Sequence, residues 1–261
     1  MSKFSKFTRL FRKAERELES DIKAEEKKIV EFVRYEETRL ARFLYMLLRK
    51  IAAPLIRFLW LSEVEGLHNI PKEGPVIIAL NHESYFDFLC ISAVLDRRLH
   101  FLAAEKFFDS RLWRPLMRVT GQIKVNRKHP DKSKVFEQVY YALEDGRAIG
   151  IFPEGTRSHD GKLQKAYSGV GRIALTAKAP IVPVGLIGTY EIMSRHDKFP
   201  KLKKAKIKIG EPMHFKEFHD INHDESHYRH VTDTVMNKIG EMVNEAYPQE
   251  ETKVIEGKVV Q

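Results

Sequence analysis

With 261 residues, 43% hydrophobic and 31% charged, the chain can bury one substantial core plus an appendage, and its composition excludes disorder throughout. Lys and Arg total 45 against 36 Asp and Glu, a formal net charge of +9 that favours an anionic partner such as a phosphorylated substrate, lipid headgroups or nucleic acid. The single cysteine, Cys90, excludes an internal disulfide framework and suits a reducing compartment; inside an apolar run it reads as a packed core thiol.

The first 61 residues read as amphipathic helices that dock on a membrane. From Lys3 to about Leu40 there is no Gly or Pro, and Phe4, Phe7, Phe11 and Leu18 recur at helical spacing amid dense charge. The first turns are strongly basic, which suits an interfacial helix, while Asp21 to Arg39 fits a coiled coil or a partner helix equally well. Ala41 to Leu61 contains no acid and places Arg42, Arg49, Lys50 and Arg57 within an arc of roughly a hundred degrees at 3.6 residues per turn. The rest of that surface is Phe, Leu, Met and Ile, with Trp60 expected at headgroup level, so these four cations and Trp60 are the expected docking residues. Arg49, Lys50, Arg57 and Pro54 interrupt the apolar run, which makes the segment better suited to lying on a membrane than to crossing one. No apolar stretch with a small-residue cleavage site follows the basic amino terminus, so no signal peptide is expected.

Residues 62–247 read as one α/β domain, with 248–261 a loose tail. Residues 63–74 suggest a strand and turn, and Val76 to Leu80 is short, apolar and rich in β-branched residues, a buried strand. Asn81-His82-Glu83-Ser84-Tyr85-Phe86-Asp87 follows it, and Phe88, Ile91 and Leu95 then take helical spacing. His82 thus falls where a strand runs out and Asp87 in the first turn of the next helix, at the strand ends where α/β folds place reactive groups. A neutral imidazole oriented by a carboxylate can take a proton from a hydroxyl. On this heptapeptide alone, Asp87 as a helix cap and His82 as a bonded strand-end residue reads equally well.

Leu99 to Ala104 is a further strand ending near Lys106, Arg111 to Val119 a short helix, and Ile123 and Val125 alternate as strand positions before Arg127. Ser133 to Leu143 is an amphipathic helix stopped at Asp145-Gly146. The buried strand Ile149 to Phe152 delivers Pro153-Glu154-Gly155-Thr156-Arg157-Ser158, where glycine permits close backbone approach and Arg157 offers a fork suited to phosphate. After the helix Gly169 to Ala177, the stretch Pro180 to Gly188 is another strand, with Pro183 breaking its ladder locally. A basic run, Lys198 to Lys208, leads into the strand ending at Gly210, and a last helix spans about Glu225 to Tyr247 with Val231, Val235, Ile239, Val243 and Ala246 as its core face.

These four blocks, Asn81-His82 to Asp87, Gly121 to Arg127, Phe152 to Ser158 and Val182-Pro183-Val184-Gly185, resemble in order and spacing the glycerophospholipid acyltransferase family, especially its bacterial-type 1-acylglycerol-3-phosphate acyltransferases. The resemblance covers roughly residues 60 to 245 and implies a single mixed, largely parallel sheet covered by helices. It implies that His82 is the general base and Asp87 its orienting partner, acting on the hydroxyl of a lysophospholipid. Arg127, Glu154, Gly155, Thr156 and Arg157 would hold the acceptor phosphate, with Lys106 a further contact there or near the oxyanion. Val182, Pro183, Val184 and Gly185 would shape the acyl or thioester side, and it leaves open which way Lys124 faces. The donor would be acyl-coenzyme A or an acyl-carrier protein thioester, no other cofactor is implied, and the expected location is the cytoplasmic face of an anionic membrane.

Direct transfer needs a base, an oxyanion donor and a positioned acceptor but no enzyme nucleophile, and no Gly-x-Ser-x-Gly elbow occurs. Glycerol-3-phosphate or another lysolipid is an alternative acceptor, and a noncatalytic membrane-binding protein an alternative class. Lys201-Leu202-Lys203-Lys204-Ala205-Lys206 is the sole hint of nucleic-acid binding, without a recognition motif. His219, His223, His227 and His230 would share a face if helical, but Asp220, Asn222 and Asp224 predict a loop and N-cap that split them, so they are expected to face solvent and not to bind metal.

Overall fold

The computed structural model describes residues 39–126 and 133–248. The readings of Lys3 to Thr38, of Arg127 and of the tail beyond Pro248 therefore lie outside the described residues. The described chain opens with a 22-residue helix, α1 (Arg39–Trp60), which runs through Pro54. The remainder is a mixed α/β domain on a seven-stranded sheet. Its strands are β1 (Leu61–Glu65), β2 (Val76–Leu80), β3 (Leu99–Ala104), β4 (Ile123–Val125), β5 (Ala148–Ile151), β6 (Ile181–Ile187) and β7 (Ala205–Ile209). They lie in the order β1-β7-β6-β2-β5-β3-β4. The five strands from β6 to β4 are parallel, and β7 and β1, parallel to each other, run opposite to them, with β7 antiparallel to β6.

Strand β2 is fully buried at all five positions, as its unbroken apolar run requires when both sheet faces are covered. One face carries Ile77, Ile149 and Ile181 against helices α5 (Ser133–Glu144), α6 (Gly169–Ala177) and α8 (Glu225–Val243). The other carries Ile78, Leu80, Val182 and Val184 against α2 (Asp87–Val94), with Cys90 and Ile91 in that layer. Burial pushes the Cys90 thiol up to about 12, as befits a packed core sulfhydryl. Short helices α3 (Glu105–Asp109), α4 (Arg114–Thr120) and α7 (Thr189–Met193) fill the connections; α3 and α7 are one-turn elements with no periodicity to announce them. The turn after β1 fits glycine only, since Gly66 has φ of 71° and a Cβ there would lie 2.0 Å from the Ile209 carbonyl oxygen.

Pro183 interrupts the sheet on one side only. β6 pairs with β2 without a break from Ile181 to Val184, whereas its ladder with β7 begins at Val184 and the chains meet again at Ile181 and Met213. The last helix is shorter than its periodicity suggests. Asn244 takes the left-handed conformation (φ 59°) and stops it, so Ala246 is exposed and Tyr247 turns back into the core in its place, its hydroxyl accepting from the Ala166 N–H. Asp224 caps α8 in a capping box with His227, so His219 and His223 precede the helix and the four histidines do not share one face. His223 and His227 are half-buried against the Phe218 carbonyl and ring, which departs from solvent-facing histidines.

Candidate active site

Strand β2 delivers the chain to His82 between the neighbouring ends of β5 and β6. Asn81 laces this end: its amide oxygen accepts from the Leu186 N–H at 2.7 Å and its Nδ2 donates to the Leu186 carbonyl at 2.8 Å. The chain turns through Glu83-Ser84-Tyr85-Phe86 and enters α2 at Asp87, a fully buried residue. His82 Nδ1 lies 2.7 Å from Asp87 Oδ2. The same oxygen accepts the backbone N–H groups of Glu83 and Ser84, each at 2.8 Å. Asp87 therefore closes the loop before α2 and partners His82; it does not cap the helix, whose N-cap residue is Phe86. Engagement of Nδ1 leaves Nε2 for a substrate, on a side chain 15% exposed.

The imidazole stacks on Phe152, with ring centres 3.9 Å apart and planes 17° apart. Phe152 directly follows β5 and in turn stacks on Phe101. The His82 backbone is pinned by the following loop: its N–H donates to Glu154 Oε1 at 2.8 Å, and its carbonyl accepts from the Ser158 N–H at 2.7 Å. Glu154 Oε2 accepts the Gln164 N–H at 3.0 Å, so this carboxyl is a buried joint between the loop after β2 and two parts of the loop after β5. The resemblance implies a place for Glu154 at the acceptor phosphate; in the structure its two carboxyl oxygens take these N–H groups. A Glu among Gly, Thr and Arg reads as a surface anion or a ligand contact; here inward-facing N–H groups outcompete solvent for it.

Gly155 takes φ of 69° to turn this loop, and a Cβ there would meet the Tyr167 ring at 2.9 Å. Thr156 beyond it is exposed. The Arg157 guanidinium lies 3.4 Å from the centre of the Tyr85 ring, so the loop after β5 is stacked onto the heptapeptide after β2. Its Nη1 is buried without a hydrogen-bond partner among the described residues, a donor suited to an incoming oxyanion. Ser84 is fully buried, its hydroxyl donating to the Met193 carbonyl at 2.7 Å and accepting the Phe86 N–H, which removes it as a nucleophile.

The remaining expected site residues fall elsewhere. Lys106 is exposed on α3 with its ammonium 5.3 Å from the Phe107 ring centre. Lys124 is held by Glu105 at 2.8 Å and Asp109 at 3.6 Å, tying β4 to α3. Val182, Pro183, Val184 and Gly185, which the resemblance places on the acyl or thioester side, are all buried in β6. Val182 and Val184 pack under α2, and a Cβ on Gly185 would meet Met242 of α8 at 2.8 Å. Their run is apolar because the strand has helices on both faces.

The docking residues also divide. Arg49 pairs with Asp96 at 2.9 Å, Arg57 donates to the Val94 carbonyl, and Trp60 donates to the Lys201 carbonyl while its ring lies against Phe86. These three, expected to meet headgroups, fasten α1 to the domain. A helical wheel gives an arc of charge but not which neighbour claims it. Arg42 and Lys50 stay at the surface, and the outward face is apolar, with Phe43, Met46, Ile51, Leu55 and Phe58 each more than half exposed.

Two carboxyls beneath the site are held largely neutral. Burial, with Asp87 and Glu245 adding repulsion, pushes Glu83 up to about 9. Burial also pushes Glu154 up to about 8 against the two N–H bonds that favour its charge. From their ordinary value of 4.5 up to these values the native state binds more protons than the unfolded chain, so stability is full below that window and falls as pH rises through it. Thermal unfolding is expected to move to lower temperature between about pH 6 and about pH 9, and Glu83→Gln to flatten that slope. A midpoint that instead rises with pH over this range would contradict the assignment.

An acyltransferase family profile matches residues 62–187. The 1-acyl-sn-glycerol-3-phosphate acyltransferase of Bacillus subtilis is 29% identical over 158 residues, 60% of this chain and 75% of that protein. The human 1-acyl-sn-glycerol-3-phosphate acyltransferase alpha is 30% identical over 152 residues, 57% of this chain and 51% of that one. The chloroplastic enzyme BAT2 of Brassica napus is also 30% identical, the match spanning 39% of its length, so the chain spans about half or less of the human and plant relatives. The crystal structure of the 1-acyl-sn-glycerophosphate acyltransferase PlsC of Thermotoga maritima superposes with a TM-score of 0.63 at 22% identity, covering 85% of this chain and 90% of that one, and shares its fold.

Proposed function

We propose that this chain is an acyltransferase of the kind whose family profile matches residues 62–187, and that it acylates the free hydroxyl of a 1-acylglycerol-3-phosphate from an acyl thioester, giving phosphatidic acid. The observation that carries the mechanism is the His82–Asp87 pair, with Nδ1 engaged at 2.7 Å and Nε2 left for substrate. Nε2 takes the hydroxyl proton as the oxygen attacks the thioester carbonyl carbon, and Asp87 stabilises the imidazolium that forms. The tetrahedral oxyanion collapses with cleavage of the C–S bond, and the imidazolium returns the proton to the departing thiolate. The ester and the thiol leave without a covalent enzyme intermediate, consistent with Ser84 being occupied elsewhere. Arg157, whose Nη1 has no hydrogen-bond partner among the described residues, holds the acceptor phosphate; the family resemblance implies the same role for Arg127.

The outward apolar face of α1 seats the enzyme on a membrane, at the cytoplasmic face where coenzyme A and carrier-protein thioesters are found. No helix among the described residues is long and apolar enough to cross one. The relatives' names favour the lysophospholipid acceptor over glycerol-3-phosphate. Offered both acceptors with a long-chain acyl-coenzyme A on anionic vesicles, the protein is expected to form phosphatidic acid; acylation of glycerol-3-phosphate alone would reassign the acceptor.

A further inference from the structure

The connection between α7 and β7 carries a second exposed apolar feature that the reaction does not use. Phe199 and Leu202 are 80% and 76% exposed, among the most exposed large apolar side chains of the described residues. Lys198, Lys201 and Lys203 flank them and are also exposed. From Arg195 to Lys208 the sequence holds seven Lys and Arg against one acid, Asp197. Asp197 pairs with Lys201 at 2.8 Å, and Lys206 pairs with Glu63 at 2.7 Å. Lys198 and Lys203 are exposed beside the two apolar tips.

This connection is fastened to the end of α1. Trp60 Nε1 donates to the Lys201 carbonyl at 3.0 Å, and Lys204 Nζ donates to the Phe58 carbonyl at 2.5 Å while lying 5.9 Å from the Phe58 ring centre. Phe58 is itself 78% exposed and ends the apolar face of α1. Two segments more than a hundred residues apart, each bearing exposed apolar tips and lysines, are thus joined at the end of α1. We propose that the Lys198–Lys203 loop is a second contact with an anionic lipid surface, which together with α1 fixes how the domain stands on the bilayer. The proposal rests on the reading of the protein as a membrane-surface enzyme. A lipid surface is favoured over an acidic protein because the loop is joined to the end of the 22-residue helix α1, about 33 Å long at 1.5 Å per residue, whose apolar groups an acidic partner would not recognise. One helix alone leaves the domain free to roll about its axis; a second contact removes that freedom.

The test uses the full chain and vesicles of phosphatidylcholine with about one third phosphatidylglycerol, and it does not depend on turnover. Cys90 is buried, so Phe199→Cys can be labelled selectively with an environment-sensitive dye. Its emission is expected to shift to the blue on vesicle binding, and Phe199→Ser/Leu202→Ser/Lys198→Glu/Lys203→Glu is expected to lose about tenfold or more in vesicle partitioning with its thermal midpoint unchanged. An unshifted dye on fully vesicle-bound protein would overturn the proposal. So would a variant that partitions normally and loses transfer only from an acyl-carrier protein donor, which would assign the loop to an acidic protein instead.

Discussion

Asp87→Asn is expected to lower turnover about a thousandfold while leaving the domain folded. The amide oxygen can still accept the N–H groups that Asp87 Oδ2 now accepts from Glu83 and Ser84, so the turn between β2 and α2 keeps its closure. What is lost is the charge. His82 then has no carboxylate to stabilise its imidazolium in a site where the partner oxygen is fully buried and little water can substitute. The amide nitrogen would take the position of Oδ1, which is buried and without a hydrogen-bond partner among the described residues, so some loss of stability accompanies the loss of rate. Steady-state kinetics beside a thermal melt separate the two. A variant that retains more than about a tenth of the activity would show that Asp87 serves only the turn.

Arg157→Lys is expected to lower kcat/KM for the acceptor about a hundredfold, mostly through KM, with the donor's KM little changed. Lysine keeps the charge but loses both the planar stack on Tyr85 and the fixed fork that aims Nη1. Tyr85→Leu should give a smaller effect of the same kind, since it removes the stack and leaves the fork. Initial rates at varied acceptor concentration check both. Full activity in Arg157→Lys would mean that a point charge suffices and that the stack is incidental.

The meeting of His82 and Asp87 was legible because each local signal agreed: a β-branched run ends at Leu80, helical spacing resumes after Asp87, and the intervening residues make one turn. The strand order was not legible, since the reversal of β7 against β6 depends on a long connection through α7 whose path leaves no periodic mark. For Glu154 and the Val182 to Gly185 run, the place in the domain was legible and the packing neighbours were not. Side-chain type says what a residue can bond, and only packing says which partner reaches it first. The arginines of α1 show the same limit, because Asp96 and the Val94 carbonyl at the end of α2 take the groups that a wheel assigns to headgroups. The stacking of Phe152 on His82 had no signal beyond an aromatic residue closing a buried strand.

The most direct test is phosphatidic acid formation by wild type and by His82→Ala on anionic vesicles, with lysophosphatidic acid and a long-chain acyl-coenzyme A. Wild-type product that disappears in His82→Ala, with vesicle binding and thermal midpoint retained, is the result expected of a general base at this position. Undiminished product in His82→Ala would contradict it.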